Sequence, residues 1–288
     1  SYPYQQPALL PFLARLPAES GEMLGAATIV LLPLHNPVQV AEEVATLDAL
    51  CNGRFIFGIG LGYRDEEYPT FGTRREERVP RTVEALELIK RYWVEDDFEF
   101  HGRFYNVPRV KPVSRPVQRP HPPIWFAANN DAAIARAGRL GYAGVINPHV
   151  TVATVEGEVA MYKRALNESG HPAPAYLPMM RELFVDEDRE RAFAESQAHL
   201  AGKYAAYAAW GQDKVLPGHE SFARPFQELA RDRFLIGTPD DIVREIRRYE
   251  TDLGINMMIF RMQWPGMDGR KTLHQLELFG RHIIPRLK

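Results

Sequence analysis

A glycine-rich segment with the sequence GIGLGY, at positions 58–63, combines residue types and spacing that could do chemistry. Glycine has no Cβ, so the backbone amides of such a segment can approach an anion or a flat ring closely. The dinucleotide-binding fingerprint needs glycine at its first, third and sixth positions, but the sixth position here is Tyr63. A Rossmann site is therefore not expected. A cofactor-binding turn at Gly60, Gly62 and Tyr63 and an ordinary tight turn without a ligand both stay open.

A second such segment, AANND at positions 127–131, ends one predicted strand and begins a predicted helix. The small side chains of Ala127 and Ala128 leave room for a bound ring. The free amides of the first helical turn, behind Asn129 and Asn130, can hold a phosphate. The alternative is a plain helix cap without a ligand, because Asp131 would repel a dianion if its carboxylate pointed inward.

Three further residues are candidates for an active site, His35 for catalysis and Arg261 and Trp264 for the substrate pocket. His35 follows a predicted strand and precedes a predicted helix, which is where the active sites of α/β barrels form. Arg261 and Trp264 lie at the end of the last predicted strand and would suit an acidic or aromatic substrate. The structural alternatives are a loop histidine bonded to the backbone, an arginine paired at the barrel rim and a tryptophan that only packs. The nine histidines form no metal-ligand motif, so no metal is expected.

The elements that must position these residues alternate between strand and helix. Short runs of apolar and β-branched residues predict strands, and apolar residues at a period of three to four predict helices between them. This rhythm predicts parallel strands with helical crossovers. Strands are predicted at 24–32, 55–60, 124–128, 143–147, 179–185 and 257–262, and helices at 37–51, 79–93, 131–140, 154–168, 189–207, 239–253 and 272–287.

The fold class that follows is α/β, with a TIM-type (β/α)8 barrel and an open doubly wound sheet as the two alternatives. Six predicted strands fall short of the eight that a barrel needs, so the first βαβ portion and the native N-terminus are expected upstream of Ser1. Residues 1–288 are predicted to form a single barrel domain. Within it, residues 94–123 form a hairpin and extended insertion, and residues 211–224 form either a lid or an ordinary long loop.

Composition excludes several classes of protein. The formal net charge of −2 gives no basic surplus for a phosphate backbone, so nucleic-acid binding is not expected. The longest uncharged run, residues 23–41, contains two prolines and several polar residues, so no membrane helix is expected. The single cysteine, Cys51, cannot form an internal disulfide, which favours a reducing compartment and hence the cytoplasm.

The sequence resembles the bacterial luciferase-like flavin monooxygenase family. Three stretches carry the resemblance in the family's order: residues 24–72, beginning LGAATIVLLPLHNP; residues 122–141, PPIWFAANNDAAIARAGRLG; and residues 236–267, beginning IGTPDDIVREI. The resemblance implies a TIM-type barrel, a homodimer, and either reduced FMN or the 8-hydroxy-5-deazaflavin coenzyme.

The resemblance also implies positions for the cofactor. The strand with Ala27 and Thr28 would lie under the flavin ring, with a non-prolyl cis peptide near Ala27-Thr28-Ile29, and Asn147 would lie beside the ring. Residues 60–63 and 127–130 would hold the ribityl phosphate. The family's phosphate arginine would fall at Leu61, so this chain lacks that charge. The family's Glu-His-His strand end would precede Ser1, so the catalytic histidine is unknown and His35 is the candidate.

The expected function is a monooxygenase that takes reduced FMN from a separate flavin reductase and uses O2 to oxygenate a small organic substrate. The chemistry would reside in the cofactor, and the protein would exclude water from it. The first alternative is a deazaflavin-dependent oxidoreductase that transfers hydride. An alternative of another class is a non-catalytic flavin-binding protein on the same fold.

Overall fold

The computed structural model describes residues 8–287, which form two compact units that divide between Ala127 and Ala128. The first unit has a parallel sheet covered by helices and a separate hairpin. Its helices are α1 (Leu9–Leu13), α2 (Pro17–Ser20), α3 (Pro37–Leu50), α4 (Glu67–Thr70) and α5 (Arg78–Val94), and its strands are β1 (Gly25–Leu31), β2 (Phe55–Gly60), β3 (Phe98–His101), β4 (Asn106–Val110) and β5 (Ile124–Ala128, which reaches the boundary).

In the first unit, β1 pairs in parallel with β2, and β2 pairs in parallel with β5. All six residues of β2 are buried, as expected of a central strand in a parallel sheet. Helix α3 begins as its sequence predicts, because Asn36 accepts a hydrogen bond from Val38 N at 2.9 Å and Pro37 occupies the first helical position. Strands β3 and β4 pair antiparallel, which confirms the hairpin predicted within residues 94–123.

The second unit repeats the parallel arrangement around β7 (Pro178–Val185). Its other strands are β6 (Ala143–Ile146), β8 (Leu235–Gly237) and β9 (Met257–Arg261), and its helices are α6 (Asp131–Arg139), α7 (Val152–Glu168), α8 (Arg189–Ala209), α9 (Phe226–Ala230), α10 (Pro239–Arg248), α11 (Gly269–Leu278) and α12 (Ile284–Leu287). The first part of β7 pairs with β9, up to Glu182 opposite Arg261, and its last part pairs with β8. Strand β6 pairs with β7 at Met179.

The prediction of six strands was wrong by one. Within residues 8–287, seven strands pair in parallel, and the additional one is β8. It has only three residues, and Thr238 follows it directly. The sequence of this stretch therefore predicts the helix start but not the short strand before it. That helix start is confirmed, because the Thr238 hydroxyl and the Asp241 carboxylate form a reciprocal capping box. The last helix begins at Gly269 behind Asp268, three residues before the predicted Thr272, and a π-helical segment interrupts it at Phe279–Ile283.

Candidate functional site

The glycines at the end of β2 give β1 the space it needs. A Cβ on Gly58 would overlap the carbonyl oxygen of Ala27, and a Cβ on Gly60 would overlap the side chain of Ile29. The Thr28–Ile29 peptide is cis, as predicted from the family resemblance. Ala27 is fully buried, whereas Thr28 and Ile29 are partly exposed. The flavin contacts assigned to Ala27, Thr28 and Gly60 stay predictions.

The turn that follows β2 is stabilised by residues of the same unit. Gly62 has φ +81°, a conformation that favours glycine, and the Tyr68 hydroxyl donates to Leu61 O at 3.0 Å. Tyr63 leaves this turn with 41% of its surface exposed. The turn is therefore ordered by Gly62 and Tyr68, and the predicted phosphate contacts of Gly62 and Tyr63 remain untested by these contacts.

The segment after β5 confirms the predicted helix cap at one of its two asparagines. Asn130 accepts a hydrogen bond from Ala133 N at 3.0 Å and is the N-cap of α6. Asn129 is partly exposed beside it, and Ala128 is buried. Asp131 lies in the first turn of α6 and is exposed. A phosphate role for Asn129 and Asn130 and a ring contact for Ala127 stay predictions.

His35 is an exposed residue at the end of a short 3-10 turn after β1. Its ring lies near that of Phe71, with the two ring centroids 6.2 Å apart. Burial lowers the pKa of His35, and the charge of Glu43 opposes that shift. The assignment of His35 as a catalytic candidate stays a prediction.

In the second unit, the residue predicted beside the ring belongs to a buried polar trio. Arg181 is fully buried and donates from Nη1 to Asn147 O at 3.0 Å. Within the described residues, Arg181 Nε and Nη2, Asn147 Nδ2 and Glu158 Oε1 have no hydrogen-bond partner. Burial raises the pKa of Glu158 to about 8, and nearby Arg181 opposes this shift only in part. Glu158 is therefore largely protonated at neutral pH, and the Asn147 side chain lies beside its carboxyl group.

A second group of side chains, here called the Glu182 cluster, consists of Glu182 of β7, Lys203 of α8, Arg261 at the end of β9 and Trp264 after it. Glu182 is fully buried; it pairs with Lys203, accepts from Trp264 Nε1 at 2.9 Å and lies 3.6 Å from Arg261. Burial lowers the pKa of Lys203 to about 8 although Glu182 opposes that shift. Trp264 is only 1% exposed, so it packs inside and holds Glu182. The substrate-pocket role of Arg261 stays a prediction.

His149 was not predicted as a site residue from the sequence. It lies two residues after the predicted end of β6. Its ring meets Tyr207 edge-on at 5.0 Å and Tyr204 at 5.9 Å, and its Nδ1 lies 3.4 Å from the Tyr204 hydroxyl. Arg233 Nε donates to the His149 carbonyl at 2.8 Å. Burial lowers the pKa of His149 well below its usual value, and the cations of the Glu182 cluster add to this effect. The imidazole is therefore neutral. His149 could have been predicted as a site residue from its position just after a strand end.

The predicted lid segment, residues 211–224, is attached to its unit by two side chains. Phe222 is buried, with its ring 5.0 Å from that of Tyr204. Glu220 accepts from Thr151 N at 2.8 Å and forms a buried ion pair with Arg233. The movement of this segment as a lid stays a prediction.

One trio within residues 8–287 has metal-ligating atoms close together: Asp186, Glu187 and His274. Asp186 is paired with Arg191, and His274 Nε2 lies 3.1 Å from Glu187 Oε2. Ion pairing accounts for this grouping without a metal. None of the helices in the described part of the chain combines the length and apolar character needed to cross a bilayer.

The chain is similar to several proteins that are named by an activity. Residues 20–256 match the family model described as luciferase-like monooxygenase. The chain is 28% identical to an F420-dependent glucose-6-phosphate dehydrogenase of Nakamurella multipartita, over 98% of this chain and 83% of the relative. It is 25% identical to the oxygenase component of a flavin-dependent trigonelline monooxygenase of Acinetobacter baylyi, over 91% of this chain and 75% of the relative.

A solved structure shows the same fold. The monooxygenase RslO1 from Streptomyces bottropensis superposes with a TM-score of 0.82 at 23% sequence identity, over 98% of this chain and 84% of that chain. The fold is thus the TIM-type barrel of these proteins and not an open doubly wound sheet. The chain belongs to the luciferase-like monooxygenase family and is an oxidoreductase of this flavin- and F420-dependent group.

Proposed function

We propose that this protein is a monooxygenase that uses O2 and reduced FMN, supplied by a separate flavin reductase, to oxygenate a small organic substrate. A similar protein is named as the oxygenase component of a flavin-dependent monooxygenase, which supports a division of labour between reductase and oxygenase. Bound reduced FMN would supply the electrons that activate O2. The homodimer expected from the resemblance is part of the same proposal.

The observation that carries the proposal is the state of Glu182. Its carboxylate pairs with Lys203 through one oxygen and accepts from Trp264 through the other, with Arg261 nearby, so neither oxygen is free to take a substrate proton. His149 is a weak base, because burial and neighbouring cations disfavour its protonation. Hydride removal from an alcohol needs a base for the hydroxyl proton. These two groups therefore suit oxygenation, in which the cofactor and O2 do most of the chemistry, better than alcohol oxidation.

The residues present also fit a flavin. Asn147 Nδ2 is a buried amide donor without a partner in the described part of the chain, and it would satisfy a carbonyl or nitrogen acceptor on the ring. Tyr204, Tyr207 and Phe222 surround His149 with aromatic surface. This surface would exclude water from the surroundings of His149.

The test is anaerobic binding of reduced FMN followed by mixing with O2. Free reduced FMN releases hydrogen peroxide as soon as it is oxidised. We expect the protein to bind reduced FMN and to delay the release of hydrogen peroxide, with ¹⁸O from ¹⁸O2 entering the product once a substrate is found. Release of peroxide at the rate of free reduced FMN would contradict the proposal. Tight binding of flavin without turnover of any substrate would favour the non-catalytic alternative.

Deazaflavin-dependent hydride transfer is the second candidate, because two observations favour it. The chain resembles an F420-dependent dehydrogenase over nearly its whole length, and Leu61 replaces the family's phosphate arginine. This function predicts tighter binding of the 8-hydroxy-5-deazaflavin coenzyme than of FMN. It also predicts that O2 does not change the rate at which the reduced coenzyme is consumed. The same binding titrations with the two cofactors distinguish the candidates.

A further inference from the structure

We propose that Arg261 is a specificity-determining residue that binds an anionic group of the substrate, a carboxylate, sulfonate or phosphate. The inference deepens the proposed function, since it names the substrate class of the same site. Arg261 is the last residue of β9, and it faces Glu182 of β7 in the parallel register. The carboxyl ends of the strands are where barrel enzymes of this fold bind their substrates.

The ion pairs around Arg261 leave its charge incompletely balanced. Glu182 is in direct contact with Lys203, and Arg261 lies farther from the same carboxylate, at 3.6 Å. One carboxylate therefore serves two cations. The other carboxylate near His149, Glu220, is already paired with Arg233. A buried or half-buried positive charge without its own counter-ion favours the binding of an anion.

Arg261 is both accessible and held in place. Its side chain is 41% exposed, whereas the side chains of Lys203 and Glu182 are 7% and 0% exposed. Tyr207 also lies beside Arg261, so both Glu182 and Tyr207 are neighbours of its guanidinium. A fixed guanidinium presents paired N–H donors that match the two oxygens of an oxyanion. Of the cluster's two cations, Arg261 is thus the one that a ligand can reach.

The aromatic residues next to Arg261 support it from inside the protein. The rings of Tyr204 and Tyr207 pack against each other, with centroids 5.7 Å apart, and both meet His149. Both tyrosines are buried, so the Arg261 guanidinium is the accessible group that a ligand would meet. Benzoate and benzamide are therefore a suitable pair of probes, because they share size and shape and differ in charge.

The experiment is isothermal titration calorimetry of the full chain with benzoate and with benzamide. We expect benzoate to bind at least tenfold more tightly than benzamide. Arg261→Gln should weaken benzoate binding at least tenfold and leave benzamide binding within twofold. Arg270→Gln is the matched control, because Arg270 is an exposed arginine paired with Asp268, and it should change neither affinity. Equal affinities for the two probes, or no binding of either, would overturn the inference.

Two further measurements separate the remaining explanations. If Arg261→Gln does not fold, Arg261→Lys retains the charge and should weaken benzoate binding selectively, whereas an equal loss for both probes would count against the inference. The anion bound by Arg261 could instead be the cofactor's phosphate. In that case Arg261→Gln would weaken binding of FMN but not of riboflavin, which would also overturn the assignment to substrate. Intact FMN binding without a preference for benzoate would reject this inference alone and leave the proposed function standing.

Discussion

The indole N–H of Trp264 donates to the carboxylate of Glu182 across 2.9 Å, and both side chains are almost completely buried. Glu182 is on β7, and Trp264 follows β9, the strand that pairs with the first part of β7. The hydrogen bond therefore joins β7 to the segment after β9 at a buried charge. Lys203 of α8 pairs with the same carboxylate, so α8 is attached to this group as well.

Removal of the Glu182 charge should destabilise the protein. Glu182→Gln leaves Lys203 buried beside a neutral amide, and loss of one partner of a buried ion pair costs about 3 kcal/mol of unfolding free energy. The double variant Glu182→Gln/Lys203→Met should recover most of that loss. Urea unfolding measures both, with Glu187→Gln, an exposed acid two residues after the end of β7, as the control. A double variant no more stable than Glu182→Gln would show that the buried pair does not act as a unit.

The two glycines of β2 should respond differently to a methyl group. Gly58→Ala places a Cβ against the carbonyl oxygen of Ala27, which belongs to the backbone and cannot rotate away, so we expect a loss of about 3 kcal/mol. Gly60→Ala meets the end of the Ile29 side chain, which can move. Ile29→Val removes the overlapping atom and should partly rescue Gly60→Ala but not Gly58→Ala. Thermal unfolding of the four variants provides the comparison, and rescue of both glycine variants would contradict these contacts.

The stability of the protein should depend on pH through Glu158. The pKa of this carboxyl is about 8 in the folded state and about 4.3 in an unfolded chain. Between these values the folded state holds a proton that the unfolded state has released, so its stability falls as the pH rises. Glu158→Gln removes this titration, and its stability relative to the wild type should increase by about 3 kcal/mol from pH 5 to pH 8. Glu156→Gln, an exposed position on the same helix, should show no such trend.

Local features of the structure followed from the sequence, whereas the polar clusters did not. The caps at Asn36 and Thr238 were predictable because each satisfies backbone amides within three residues of itself. The Glu182–Trp264 bond joins residues 82 positions apart, and nothing local marks Glu182 as its acceptor. Parallel pairing places such residues together only after the order and register of the strands are known.

The same distinction explains the other differences. Strand β8 is too short to give an apolar run, and it is ordered by its pairing with the end of β7. His149 was one of nine histidines, and its neutral state depends on burial and on cations from other strands and helices. The cis peptide at Thr28–Ile29 was predicted only through the family resemblance, since no local residue pattern specifies it.

The predicted phosphate role of Asn129 can be tested by adding a negative charge at this position. Asn129→Asp changes an amide to a carboxylate of nearly the same shape at a partly exposed position beside the N-terminus of α6. If the ribityl phosphate lies there, the new negative charge should weaken FMN binding about tenfold and leave riboflavin binding almost unchanged, because riboflavin has no phosphate. Asn129→Ala is the control, since it removes the amide without adding a charge and leaves the Asn130 cap of α6 in place. Fluorescence titration with both flavins measures the difference, and an equal loss for FMN and riboflavin would remove Asn129 from the phosphate site.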